Sequence, residues 1–356
     1  MTTPSWHNEP SGTMRAAVLT SPGVSPPSAC FTIDYAYPKP TLPSPDWVLV
    51  RVYAAGLNRA ELRSRNGDPG HPLEFNLYKD EYHEDPPAIL GEEMGGVIEV
   101  AGANTSFTPG DKVAAWMFGG GKAHNGSYAE YAVSRKECVV KIKTSLPWEV
   151  VGGAATSMWT AYGALILSAN MKENSTVFIH GATGSVGVWG ILLAKDKGCT
   201  VIATTRQTSK IDALKRAGAD HVLLEEDLPN SIGALVPAGI KVWFELIGTE
   251  FNEPYAFPLM AKYGTVVDLG MLTKNLMMDA WSLVALGSTR RLTMYTTEAE
   301  DMEIAGKVLQ EIIDKIEKGV IKRDAYMSNV YPLESIGEAH LFMEENKAVG
   351  KVVITI

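Results

Sequence analysis

The strongest candidate for chemistry in the chain is the run GATGSVG, Gly181–Gly187, which follows an apolar stretch ending at His180. After it come Val186, Trp189 and Leu193, spaced to share one face of a helix. Ala182, Gly184 and Gly187 stand at the three positions of a G-x-G-x-x-G turn, with Thr183, Ser185 and Val186 between and beside them. Such a turn is tight, lets a pyrophosphate approach the backbone, and offers it the free N–H groups and positive end of a helix. The competing reading, a serine nucleophile elbow at Ser185, fails because Thr183 occupies a position where that motif needs glycine.

Beyond the next apolar run, Thr200 to Thr205, the chain reads TTRQTSK. An NAD site takes an acidic residue about 20 residues past the glycines to bind the ribose 2′-hydroxyl. No acidic residue lies between Lys197 and Ile211. Thr205, Arg206, Ser209 and Lys210 offer hydroxyls and cations there instead, which suits a 2′-phosphate and favours NADPH.

These residues need a parallel sheet to hold them. From Lys172 onward, STVFIH, TVIATT, HVLLE, VWFELIG, GTVVDLG and RLTMYT alternate with helical segments such as Ser209–Ala217, which Gly218 stops. That rhythm predicts a doubly wound α/β sheet. Ile247, Gly248, Gly270 and Met271 follow its later strands and are expected to line the ligand crevice, because ligands bind at strand C-termini in such sheets. Between Met14 and Lys143 the pattern is one of short β-type runs broken by Pro and Gly, among them WVLVRVYAAG, GGVIEVAG and DKVAAWMF, and predicts an all-β barrel-like domain. The tail, with helices expected near Glu298–Lys318 and Leu333–Glu345 and a strand KVVITI, leaves the βα rhythm and is assigned back to the first domain. The expected boundaries are 1–155 plus 297–356, with 1–13 a loose tail, around an inserted 156–296.

Composition limits the partners. The 356 residues carry a net charge of −9 and no compact Lys/Arg block, which disfavours nucleic acid and anionic membrane. Cys30, Cys138 and Cys199 are too scattered for a disulfide framework or a cysteine zinc site, so a reducing, cytoplasmic setting is expected. Met1–Gly12 has no apolar core of a signal peptide, and Val150–Leu167, interrupted by Gly and Thr, suits a buried segment better than a membrane span. The long segment from Asn66 to Pro87 holds Tyr78, Tyr82, His71, His83, Glu84 and Asp85 without periodicity; its polar groups are read as solvated rather than as a metal site.

Taken together, AAGLNRAELRSRNG, ILGEEMGGVIEVAGANTSFTPGDKV, GSYAEYAV, TAYGAL, the glycine turn, GADHVL and GKVVITI resemble the medium-chain dehydrogenase/reductase superfamily. Within it the chain is similar to the zinc-free quinone oxidoreductase and enone (enoyl) reductase branch. The resemblance implies a GroES-like β-barrel domain completed by the C-terminal tail, an inserted Rossmann domain, a cleft between them holding the site, and a homodimer paired through RRLTMYT. Zinc-dependent relatives have a Cys where Asn58 stands and a His where Glu92 precedes Glu93; their third ligand is expected near Gly153–Ala155, where no Cys occurs. The resemblance therefore implies a metal-free enzyme whose small-molecule substrate is itself a good hydride acceptor, a quinone or an α,β-unsaturated carbonyl.

It also implies that Asn58, with Tyr53 as its neighbour, donates a hydrogen bond to the developing oxyanion, and that Thr160 lies near the nicotinamide. Asn58 equally fits a turn-stabilising amide after Gly56, and Tyr53 a side chain packed in a strand. Relatives that reduce acyl thioesters carry a Tyr where this chain reads GDPGHP, and Tyr78, Tyr82 or His83 would have to replace it as a lid. Two alternatives stay open: a double-bond reductase of a biosynthetic pathway, and a nucleotide-binding protein without catalysis.

Overall fold

The computed structural model describes residues 12–67, 88–248, 256–270, 284, 287–297 and 302–356. Residues 68–87, and with them the candidate lid and the polar groups of the long segment, lie outside the described residues, as does Met271. The chain divides into two compact units, one made of Met1–Thr156, Glu298–Val320 and Met327–Ile356, the other of Ser157–Thr297 and Ile321–Tyr326.

In the first unit β1 (Thr13–Leu19) pairs antiparallel with β2 (Phe31–Pro38). The larger sheet is built on β3 (Trp47–Leu57), which pairs with β4 (Glu93–Ala101), while β5 (Lys112–Trp116) follows β4, β6 (Tyr131–Arg135) lies on β3, and β7 (Val139–Lys141) lies on β5. Almost every β3 side chain is buried, because both faces of the strand are covered. This accounts for a nearly continuous apolar run with little alternation.

A helix, Arg59–Arg65, interrupts the stretch read from sequence as all β. Its cause is local. Asn58 and Glu61 form a capping box in which each satisfies a backbone N–H of the other, and Asn-x-x-Glu is a start signal legible in the sequence.

The second unit contains β8 (Thr176–His180), β9 (Thr200–Thr205), β10 (His221–Leu224), β11 (Ile240–Glu245), β12 (Met260–Asp268) and β13 (Arg291–Met294). They form a parallel sheet in the order β10-β9-β8-β11-β12-β13. Chain order reverses between β8 and β11, the switch point at which doubly wound sheets bind ligands. The helix Ser185–Asp196 packs on β8 and β9, and Ile211–Ala217 ends at Gly218 with φ +113°, a left-handed cap that glycine adopts without penalty.

The tail supplies β14 (Met327–Pro332) and β15 (Lys351–Thr355) to the first unit's sheet, β15 pairing antiparallel with β3 so that Val352 faces Leu57. Among the described residues no helix is long and apolar enough to cross a membrane.

His340, on the helix Ile336–Glu344, is fully buried against Phe31 and Tyr128, and among the described residues neither ring nitrogen has a hydrogen-bond partner. Burial, helped by the Arg65 charge, lowers its pKa to about 3. The folded state therefore holds a neutral imidazole at pH values where the unfolded chain is protonated. Stability contributed by this site is complete above the ordinary histidine pKa of about 6.5 and falls with decreasing pH toward about 3. Replacing His340 with Leu is expected to remove up to about 1.4 kcal/mol per pH unit from the acid-side slope of the unfolding free energy. Urea melts of both proteins between about pH 6 and 4 measure it, and parallel slopes would refute it.

Candidate active site

The glycine turn in the second unit grows directly out of β8. Gly181 has φ +77° and donates its N–H to Thr204 Oγ1 at 3.0 Å, which ties the turn to the end of β9. Gly184 is the exposed N-cap of the helix Ser185–Asp196, and a Cβ built on it would meet nothing nearer than Gly181 O at 3.9 Å. A Cβ on Gly187 would lie 2.7 Å from the backbone of Ala182, so this glycine serves the close packing of helix on strand. Open space at the middle glycine, at the start of a helix whose first-turn N–H groups have no acceptor within the helix, fits the approach of a pyrophosphate. Thr183, Ser185 and Val186 are half-buried around it, Ala182 is buried, and Ser157 Oγ donates to Ser185 Oγ at 2.8 Å. Thr160 is half-buried on the helix Ala155–Tyr162.

At the end of β9 the four predicted phosphate partners separate. Thr205 is buried, and its hydroxyl bonds to the backbone of Gln207. Lys210 is also buried, whereas Arg206 and Ser209 are exposed.

The floor of the switch point carries residues that the sequence reading passed over. His180, Glu245 and Asp268 end β8, β11 and β12 at matched register. Glu245 is fully buried and accepts from Ile247 N (2.8 Å), Gly248 N (3.0 Å) and Trp243 Nε1 (3.1 Å), with His180 Nδ1 at 2.8 Å. Asp268 accepts from Gly270 N at 2.9 Å; burial, reinforced by Glu245, raises its pKa to about 6. The predicted crevice residues Ile247, Gly248 and Gly270 are thus held by carboxylates beneath them, and the two turns pack backbone against backbone, since a Cβ on Gly270 would collide with Gly248 N and Ile247.

In the first unit Asn58 stands between β3 and the helix Arg59–Arg65, half-buried, with Lys351 Nζ donating to its Oδ1 at 2.6 Å. Lys351 also pairs with Glu93, and both are completely buried. Asn58 Nδ2 donates to Glu93 Oε1 at 3.1 Å and meets Glu61 Oε1 and Gly56 O only at 3.4 and 3.5 Å. Glu93 Oε2 accepts from Thr156 N at 2.9 Å. Glu61 accepts from the backbone N–H groups of Asn58 and Glu92; burial first, then the Glu92 charge, raises its pKa to about 8. Tyr53 stacks on Trp148, centroids 5.1 Å apart at 12°, as a packing residue would. Lys351, Glu93 and Glu61 had signals in the sequence, the G-K-V of the tail and the capping-box spacing, but nothing local shows that a residue near the C-terminus meets Asn58.

Among the described residues no three His, Cys, Asp or Glu side chains are grouped to hold a metal ion. Residues 44–144 match the family model described as alcohol dehydrogenase GroES-like domain, and residues 185–311 that described as zinc-binding dehydrogenase. The chain belongs to the medium-chain dehydrogenase/reductase superfamily.

Several curated and solved proteins are similar to the chain. A quinone oxidoreductase from Pongo abelii is 27% identical over 331 residues, covering 91% of this chain and 92% of its own. A highly reducing polyketide synthase, ZEA2 of Gibberella zeae, is 26% identical over 278 residues, 76% of this chain but 12% of the synthase. Among solved structures, mycobacterial Rv1454c complexed with NADPH superposes with TM-score 0.78 at 25% identity, covering 97% of this chain and 100% of that one.

Proposed function

We propose that the protein is a metal-free, NADPH-dependent reductase that transfers hydride to a quinone or an α,β-unsaturated carbonyl. The observation that carries this reading is the open cradle at Gly184 on the switch point of a parallel sheet, in a chain that quinone oxidoreductases match over nearly its full length. When bound, NADPH would supply the hydride at nicotinamide C4. Ala182, Thr183, Gly184, Ser185 and Val186 would receive the pyrophosphate, while Thr160, Ile247, Gly248 and Gly270 would line the nicotinamide half. Exposed Arg206 and Ser209 would take the 2′-phosphate, with the buried Lys210 and Thr205 shaping the turn beneath. The NADPH complex of a similar mycobacterial protein supports the choice of cofactor.

Asn58 would stabilise the charge that develops on the substrate oxygen. One of its Nδ2 hydrogens is committed to Glu93, and the other, with only long contacts to Glu61 Oε1 and Gly56 O, would be the one offered to a substrate. The zinc-ligand positions of relatives are filled here by Asn58 and Glu92, which supports independence from metal. The match to polyketide synthases favours a second reading, a double-bond reductase acting on a carrier-bound acyl group, on the same residues.

We further read β13 as a pairing edge. Among the described residues it is an edge strand, as β10 is at the opposite end; Arg290 and Arg291 donate to Met260 O and Tyr263 O of their own unit, and Met294 is exposed. An edge strand whose backbone groups are unpaired on one side invites a twin across a two-fold axis. Light scattering is expected to show a dimer, and a single 38.5 kDa species at working concentration would exclude it.

Two assays test the chemistry. Arg206→Ala is expected to raise the KM for NADPH with little change for NADH, and activity is expected to persist in chelator; tighter binding of NADH by the native protein, or activity abolished by chelator and restored by zinc, would contradict the reading. Asn58→Ala should reduce enone turnover by about 10² to 10³, equivalent to roughly 3–4 kcal/mol, with a smaller loss on the more reactive quinones and unchanged NADPH affinity. Small, equal losses on both substrates would leave Asn58 as a turn residue.

A further inference from the structure

The first unit hides a positive charge directly behind the candidate oxyanion donor. Lys351 is completely buried, and its ammonium touches Asn58 Oδ1 and the carboxylate of Glu93, itself completely buried. Asn58 is half-buried, so of these three side chains it alone reaches the surface of its unit. Room for the ammonium is made by glycine: a Cβ on Gly56 would strike both Lys351 Cε and Glu93 Oε1, and one on Gly153 would crowd Lys351 Cγ at 3.3 Å.

The chemistry of these groups sets the amide's orientation. An ammonium only donates hydrogen bonds, so the atom of Asn58 facing Lys351 must be the acceptor oxygen; Nδ2 then lies on the other arm of the amide, with one hydrogen toward the paired Glu93 Oε1 and the second directed away from the ion pair. Glu93 reinforces this by accepting from Nδ2 at 3.1 Å. A cation donating to an amide oxygen also draws electron density from the amide nitrogen, which makes its N–H groups stronger donors.

Building on the reading of Asn58 as oxyanion donor, we propose that Lys351 is a positioning residue for reduction, its buried ammonium orienting and polarising the Asn58 amide so that Nδ2–H stabilises the substrate oxyanion. Positive charge thereby reaches the reacting oxygen through an amide rather than through a metal ion. As hydride adds to the electrophilic carbon, the C=C or quinone π electrons move onto oxygen; the Nδ2–H hydrogen bond strengthens while Lys351 keeps its proton. The proton that completes the product comes from solvent.

The test is a double-mutant cycle on the full chain. Lys351→Met alone would leave Glu93 charged and unpaired, so the variant is Lys351→Met/Glu93→Gln, which removes both charges at similar volume. With naphthoquinone and an aliphatic enone as substrates, the double variant is expected to lower kcat on the enone about tenfold to a hundredfold and on the quinone no more than about threefold. NADPH binding measured by fluorescence should stay within about twofold. In an Asn58→Ala background the same double substitution should cause little further loss, because the ammonium acts through the amide.

A full, undiminished loss in that background, or equal losses on both substrates, would overturn the proposal. If Asn58→Ala spares the enone, the donor reading itself fails. If Asn58→Ala is selective for the enone while Lys351→Met/Glu93→Gln is not, only the present inference fails. A second measurement needs no folded double variant: the nitrogen-15 spectrum of asparagine-labelled native protein, with Asn58 assigned by its loss in Asn58→Ala, should show its side-chain amide displaced downfield from the other asparagines. An ordinary position for that resonance would also overturn the proposal.

Discussion

The antiparallel pairing of β15 with β3 is the constraint on which the first unit depends. It joins segments 293 positions apart at the Lys351–Asn58 contact, and without it the Ala54–Leu57 end of β3 would lose its β15 partner and Asn58 would be an ordinary helix cap. The pairing also seats an ammonium where water cannot reach it. Burying a charge is strongly unfavourable unless it is paired and hydrogen-bonded. Glu93 supplies the opposite charge and Asn58 Oδ1 a further acceptor. The same carboxylate takes the Thr156 N–H, so one buried acid organises both the donor amide and the backbone that follows.

The second unit uses carboxylates differently. Glu245 and Asp268 do not face a lysine; they accept backbone N–H groups of the turns that follow their own strands. This satisfies donors that the strand ends would otherwise leave unpaired, and it shapes Ile247, Gly248 and Gly270 into close backbone contact. Part of the charge of Glu245 is met by His180, across the strands where chain order reverses. Burial first, then the charge of Glu245 beside it, raises the pKa of Asp268.

Glycines divide the labour by position. Gly187 and Gly56 are needed for close packing, the first of helix on strand and the second around the buried ion pair, whereas Gly184 leaves space unfilled. Only the last kind marks a ligand, and the distinction requires coordinates, since all three look alike in the sequence.

Much of the fold was legible beforehand because its causes are local. The alternation of apolar runs with helical segments after Lys172 follows from periodicity, Gly218 ends its helix because φ is positive there, and the glycine turn lies where a strand hands over to a helix. The helix at Arg59–Arg65 was missed although its capping box is also local; surrounding β-type runs outweighed a short signal. What tertiary structure alone decided is which predicted residues present their side chains and which bury them. Arg206 is exposed while Lys210 is buried, Tyr53 lies flat against Trp148, and Asn58 has a lysine behind it. The physical reason is that burial and ion pairing depend on contacts between residues far apart in the chain, and such contacts come into being only when the sheet closes.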